Sequence, residues 1–84
     1  MTLKDKAVIV TGAGAGLGLA YAREIARQGA KVVVNDVDQK VADDAVALIR
    51  DEGGTATACA VAVGTTEAAT LLVRTALEAF GLSL

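Results

Sequence analysis

The segment Thr11-Gly12-Ala13-Gly14-Ala15-Gly16-Leu17-Gly18, directly after the apolar run Ala7-Val8-Ile9-Val10, most constrains what this chain can become. The apolar run reads as a buried strand, the alternate glycines as a turn, and the amphipathic stretch that follows as a helix. In that order, the three elements aim several backbone N–H groups and the positive end of a helix at one point. Such a geometry suits a phosphate or a pyrophosphate.

The rest of the chain repeats the alternation. Lys6 to Val10 is the first expected strand. A helix follows from about Gly16 to Gln28, with Gly18, Ala22, Ile25 and Ala26 on one face and Gly29 as its stop. Lys31-Val32-Val33-Val34-Asn35 is β-branched and apolar on both faces through its centre, as a parallel strand covered by helices requires. Asp38 is placed to cap a second helix reaching about Glu52, with Val41, Ala45, Leu48 and Ile49 as its apolar stripe. Gly53-Gly54 ends that helix, and Thr55 to Val63 is the third expected strand. Thr65 or Thr66 caps a third helix, whose buried side is Ala69, Leu72, Val73, Ala76 and Phe80. The sum is an α/β fold of order βαβαβα. Right-handed crossovers favour a parallel sheet of order 3-2-1, one half of a Rossmann-like doubly wound sheet. Residues 1–84 are then a single truncated dinucleotide-binding domain.

Composition removes other function classes. Apolar residues make up 54% and charged ones 21%, the opposite of a disordered chain. A net charge of −2, scattered basic residues and one Phe and one Tyr leave no footprint for nucleic acid. A single cysteine excludes an internal disulfide and a multi-cysteine zinc site; Cys59, inside Thr57-Ala58-Cys59-Ala60-Val61, reads as a small buried hydrophobe. Without histidine there is no Ser-His-Asp triad, no HExxH zinc site and no histidine base. Lys4 and Lys6 before an uncharged stretch ending Ala20-Tyr21-Ala22 imitate a secretory leader. Asp5 and the alternate glycines argue against that reading, so neither a leader nor a membrane span is expected and the expected location is cytoplasmic.

The glycine turn has a particular spacing. The general G-x-G-x-x-G fingerprint fails at Leu17 and Leu19, and the P-loop pattern lacks its Gly-Lys-Ser/Thr. Thr-Gly-x-x-x-Gly-x-Gly is met by Thr11, Gly12, Gly16 and Gly18. Gly12 would turn the chain off the strand, Gly16 would let backbone approach a pyrophosphate, and Gly18 would let the helix pack close to the sheet. Asp36 stands 18 residues beyond Gly18, at the end of the second strand, where a carboxylate accepts from ribose hydroxyls and repels a 2′-phosphate. With no Arg or Lys in the turn after it, NAD is favoured over NADP.

At these residues the chain resembles the short-chain dehydrogenase/reductase family, from about Leu3 to Gly81. The Gly-Leu-Gly-x-Ala-Tyr-Ala and Val-Val-Val-Asn-Asp segments resemble the subgroup containing the dehydrogenase portion of peroxisomal multifunctional β-oxidation enzymes. The resemblance implies an NAD-dependent oxidoreductase of alcohols and ketones. It assigns Gly12, Ala15, Gly16 and Leu17 to the pyrophosphate and cofactor, Asp36 to the ribose, and Ala62 and Val63 to the adenine pocket. Ala62 departs from the family's usual Asp. The family's catalytic Ser and Tyr-x-x-x-Lys find no counterpart here: Tyr21 is followed four residues on by Ile25, and Ser83 has no base partner. No catalytic residue is therefore assigned. Tyr21 is expected to pack beside the first helix, and Arg23 and Arg27 to be solvated charges.

Two other readings compete. One is a non-catalytic nucleotide-binding or interaction module that dimerises through the apolar first strand as an exposed sheet edge. The other is a half-domain binding S-adenosylmethionine in the manner of methyltransferases, which share a glycine turn and an acidic residue after the second strand.

Overall fold

The computed structural model describes residues 3–81. Its elements are β1 (Ala7–Val10), α1 (Gly16–Arg27), β2 (Lys31–Asp36), α2 (Gln39–Asp51), β3 (Thr55–Ala60) and α3 (Thr66–Phe80). The strands are parallel in the order β1-β2-β3, with Val8 beside Val32, Val34 beside Ala58 and Asp36 beside Ala60. This is the βαβαβα arrangement and the 3-2-1 order that the alternation implied. All three helices therefore start from the C-terminal edge of the sheet.

The central strand explains the layering. Val32, Val33, Val34 and Asn35 are all buried, because β2 is covered on both faces. On one face Val32 and Val34 pack with Ala22 and Ala26 of α1 and with Ala42, Ala45, Val46 and Ile49 of α2. On the other, Val33 and Cys59 pack with Leu72 and Ala76 of α3, with Ile9 and Phe80 alongside. Cys59 is the buried small hydrophobe expected of it. Each fully buried valine or isoleucine contributes on the order of 1.5–3 kcal/mol of transfer free energy.

Several expectations need correction. On α2 the buried stripe is Ala42, Ala45, Val46 and Ile49, while Val41 is half-buried and Leu48 lies on an exposed flank. On α3 it is Ala68, Leu72 and Ala76; Ala69 and Val73 face solvent. On both helices the buried row is rotated from the expected one and includes alanines, Ala42 and Ala45 on α2 and Ala68 and Ala76 on α3, which fit a helix packed close to the sheet. Ile25 is only half-buried on α1. The third strand ends at Ala60, not Val63. Tyr21 is exposed rather than packed.

Arg23 is not a free solvated charge. Its guanidinium grips Glu52 in a two-pronged pair, Nε to Oε1 at 3.0 Å and Nη2 to Oε2 at 2.6 Å, joining the C-terminal parts of α1 and α2. Arg27 pairs with Glu24 at 2.8 Å and approaches Glu52 at 4.0 Å. The pairing lowers the Glu52 carboxyl pKa, chiefly through the Arg23 hydrogen bond, and raises that of Arg23. Ser83 lies outside the described residues. Among those described, no helix is long and apolar enough to cross a membrane.

Candidate cofactor cradle

The turn after β1 is built from backbone. Gly12 and Gly16 take φ of +62° and +59°, the left-handed region that only glycine enters freely. A Cβ on either would meet nothing within 4 Å, so the space beyond the turn is open. Ala13, fully buried, donates its N–H to the Asn35 carbonyl at 2.8 Å and so staples the turn to β2.

Gly18 and Gly14 are glycines for a different reason. A Cβ on Gly18 would overlap the carbonyl oxygen of Gly12 and press on Ala13. The close approach that Gly18 permits is thus between α1 and the turn, rather than between α1 and the sheet as the spacing suggested. A Cβ on Gly14 would overlap Val41 of α2 and come within 2.8 Å of Asp36 Oδ2.

α1 opens without a cap. Its N-cap residue, Ala15, is extended at φ −153° and ψ 168°, the conformation a capping side chain uses, but it carries no oxygen. The first N–H groups of a helix have no intrahelical acceptor, and no acidic residue stands in the first turn of α1. The positive end of the helix therefore has no N-cap side chain and no acidic first-turn residue to offset it.

Asp36 closes the second side of this mouth. Its Oδ2 accepts from the Gly14 N–H at 3.3 Å, and its Oδ1 accepts from the Asp38 N–H at 3.1 Å. The carboxylate is thereby aimed at the glycine turn and held in one orientation, partly exposed. Asp36 is thus joined to the glycine turn at Gly14, between Gly12 and Gly16, and the Leu17 side chain is 67% exposed.

Ala62 and Val63 lie one strand over, beyond the end of β3, and both are exposed. Val61, just before them, donates its N–H to the Asp36 carbonyl at 3.1 Å. The apolar Leu17, in the first turn of α1, and Val37 and Val63, in the loops after β2 and β3, are all exposed. A ligand with a phosphate, a diol and an apolar ring would find a donor cluster, a carboxylate acceptor and apolar rims here, in that order along the edge. The residues present fit that chemistry.

Sequence reasoning missed two residues of this site. Gly14 was not singled out, because its requirement comes from Val41, distant in sequence. Asn35 was read only as strand, yet its buried side chain ties β2 to the chain leaving β3. A separate cleft of about 110 Å³ is lined by Arg23, Arg27 and Glu52 between the ends of α1 and α2. Arg23 is paired with Glu52 there.

The family model for short chain dehydrogenases matches residues 6–82. A short-chain type dehydrogenase/reductase of Mycobacterium tuberculosis is 43% identical over 88 aligned positions, covering 94% of this chain and 31% of that protein. Peroxisomal multifunctional enzyme A of Dictyostelium discoideum is 46% identical, covering 96% of this chain and 20% of that protein. Among solved structures, a 7α-hydroxysteroid dehydrogenase complexed with NADH and 7-oxo glycochenodeoxycholic acid superposes with a TM-score of 0.89 at 36% identity, over 95% of this chain and 31% of that one. A Burkholderia phymatum short chain dehydrogenase/reductase in complex with NAD gives 0.88 at 33% identity, over 96% of this chain and 29% of that one. The chain thus spans a third or less of the length of these relatives.

Proposed function

This chain belongs to the short-chain dehydrogenase family, and from that premise we propose that its residues form the NAD-binding part of an oxidoreductase acting on alcohols or ketones. The observation that carries the reading is the Asp36 carboxylate held against the Gly14 N–H at the mouth of an uncapped helix. NAD, when bound, supplies the acceptor for a hydride. The chain's own residues bind and orient: Gly12, Ala15, Gly16 and Leu17 present backbone N–H groups to the pyrophosphate, and Asp36 accepts from the adenosine ribose hydroxyls. Ala62 and Val63 flank the adenine. The carboxylate of Asp36 stands where a 2′-phosphate would sit, so NADP is disfavoured.

No Tyr-x-x-x-Lys occurs in these residues, so binding is assigned to them and proton transfer is not. Calorimetric titration of the chain with NAD, NADP and S-adenosylmethionine tests the reading. NAD is expected to bind at about millimolar Kd, roughly 4 kcal/mol, with NADP weaker and S-adenosylmethionine inert. Tighter binding of S-adenosylmethionine than of NAD would overturn it. Addition of a secondary alcohol to the NAD complex is expected to give no NADH absorbance.

A second reading has one observation in its favour. β1 is an edge strand with all four residues half-buried, apolar and unprotected by proline or an inward charge. Self-association through that edge predicts a concentration-dependent dimer in sedimentation. A monomer at all concentrations would dismiss it.

A further inference from the structure

Asn35 is the buried polar residue of this core, 2% exposed in the middle of the sheet. An amide buried there is destabilising unless its hydrogen bonds are made. Both of its N–H bonds are used on one neighbour: Nδ2 donates to the Cys59 carbonyl at 3.0 Å and to the Val61 carbonyl at 2.9 Å. These two carbonyls flank Ala60, the last residue of β3. The side chain therefore adds a second bond to Val61, just beyond the end of β3, beside the backbone bond that Val61 makes to Asp36.

The main chain at the same place faces the other way. The Asn35 carbonyl accepts from Ala13 of the glycine turn at 2.8 Å, and the Asp36 carboxylate accepts from Gly14 at 3.3 Å. Toward β3, the Asp36 carbonyl accepts from Val61 at 3.1 Å. One dipeptide thus holds the phosphate side of the site with its left hand and the base side with its right. Without the amide, Val61 would keep only its N–H bond to Asp36, one of the two bonds that hold the start of the Ala62-Val63 segment.

We infer that Asn35 is a positioning residue that fixes Val61-Ala62-Val63 for the adenine ring, acting through the two carbonyls it binds. The inference rests on the NAD reading. It gains weight from Ala62, whose methyl group offers no acceptor to the adenine amino group. Base recognition in this chain then depends on where the backbone of this segment stands, which Asn35 determines.

The test uses two ligands that differ only by the base, AMP and ribose 5-phosphate, followed through backbone amide shifts by NMR. Asn35→Asp keeps the size and turns two donors into acceptors facing two carbonyls. Asn35→Leu keeps the branching and removes both donors. In each variant the affinity for AMP is expected to fall about tenfold, while that for ribose 5-phosphate stays near its original value.

A pH profile separates positioning from bulk loosening. Lowering the pH from about 8 to about 5 protonates the buried carboxyl of Asn35→Asp, restoring one O–H donor. The AMP-to-ribose-phosphate ratio is expected to recover in that variant and not in Asn35→Leu. The phosphate is common to both ligands, so the ratio cancels its titration, and the carboxyl introduced by Asn35→Asp is the one titratable group that distinguishes that variant from Asn35→Leu. An unchanged ratio in both variants, or equal loss of both ligands, overturns the inference. Original protein that binds AMP no better than ribose 5-phosphate overturns the NAD reading beneath it.

Discussion

The N-termini of α1 and α2 start from the same edge of the sheet and are finished in opposite ways. α2 is closed by Asp38, whose Oδ1 accepts from the N–H groups of Lys40 and Val41 at 2.9 and 3.2 Å. α3 follows the same rule, with Thr65 Oγ1 accepting from Ala68 at 3.0 Å. α1 begins at Ala15, in the backbone conformation of a cap but without the oxygen. An alanine there forgoes about 1 kcal/mol relative to Ser or Asp. The helix that gives up that stability is the one that leaves its donors open beside Asp36. Two of the three helix ends are thus closed by a side chain of their own N-cap residue, and the third is not.

The most severe way to break this contrast is to move α1 off its turn. Gly18→Val would drive a side chain into the Gly12 carbonyl, which is backbone and cannot swing aside. A loss of about 3 kcal/mol or more is expected in urea denaturation, enough to unfold much of a domain this small. Next in size is Asp36→Ala. It removes the carboxylate from the open mouth and leaves the Asp38 cap on α2 intact. NAD affinity is expected to fall by about 1–3 kcal/mol, with NADP affected less, so the ratio of the two in calorimetry is the sharper readout.

The pattern of success in reading the sequence follows from the range of the forces. Element order was legible because strand and helix periods are local, and Gly29 and Gly53-Gly54 mark the ends. The cradle was legible at Gly12, Gly16 and Asp36 because a turn, an approach and a carboxylate at a strand's tip each leave a local signature. The rest was set across the fold. Gly14 answers to Val41, Asn35 to the carbonyls of Cys59 and Val61, and Arg23 to Glu52, 29 positions away. The misread stripes on α2 and α3 have the same origin: whether Ala42 or Val41 faces the sheet depends on how near the helix lies, which hydrophobicity alone does not encode.

A paired exchange sharpens the comparison at smaller cost. Asp38→Ala is expected to lower stability by about 1 kcal/mol in urea denaturation and to leave NAD affinity unchanged. Ala15→Ser, its mirror, is expected to raise stability by about 0.5–1 kcal/mol while weakening NAD, since the new hydroxyl accepts from the donors that the pyrophosphate needs. Should Ala15→Ser stabilise the chain and leave NAD binding untouched, the open helix end would not be the pyrophosphate site.

The smallest expected effect lies at the opposite ends of the same two helices. Arg23 holds Glu52 there, and the hydrogen bond it donates keeps the Glu52 carboxyl below its ordinary value of 4.5. A carboxyl whose pKa is lower folded than unfolded favours the folded state while ionised. That contribution is complete above the ordinary value and is lost as pH falls through the lowered one. Both side chains are about a third exposed, so solvent screens the pair and the effect is small. Glu52→Gln is therefore expected to flatten slightly the acid limb of the stability curve below about pH 4.5 and to change nothing at neutral pH beyond the loss of the pair itself. NAD affinity at neutral pH should stay the same, because the pair ties α1 to α2 at the end remote from Ala15 and Asp36. A shift in NAD affinity in this variant would mean that the relative placement of the two helices, and not the bare end of α1, sets the donors' aim.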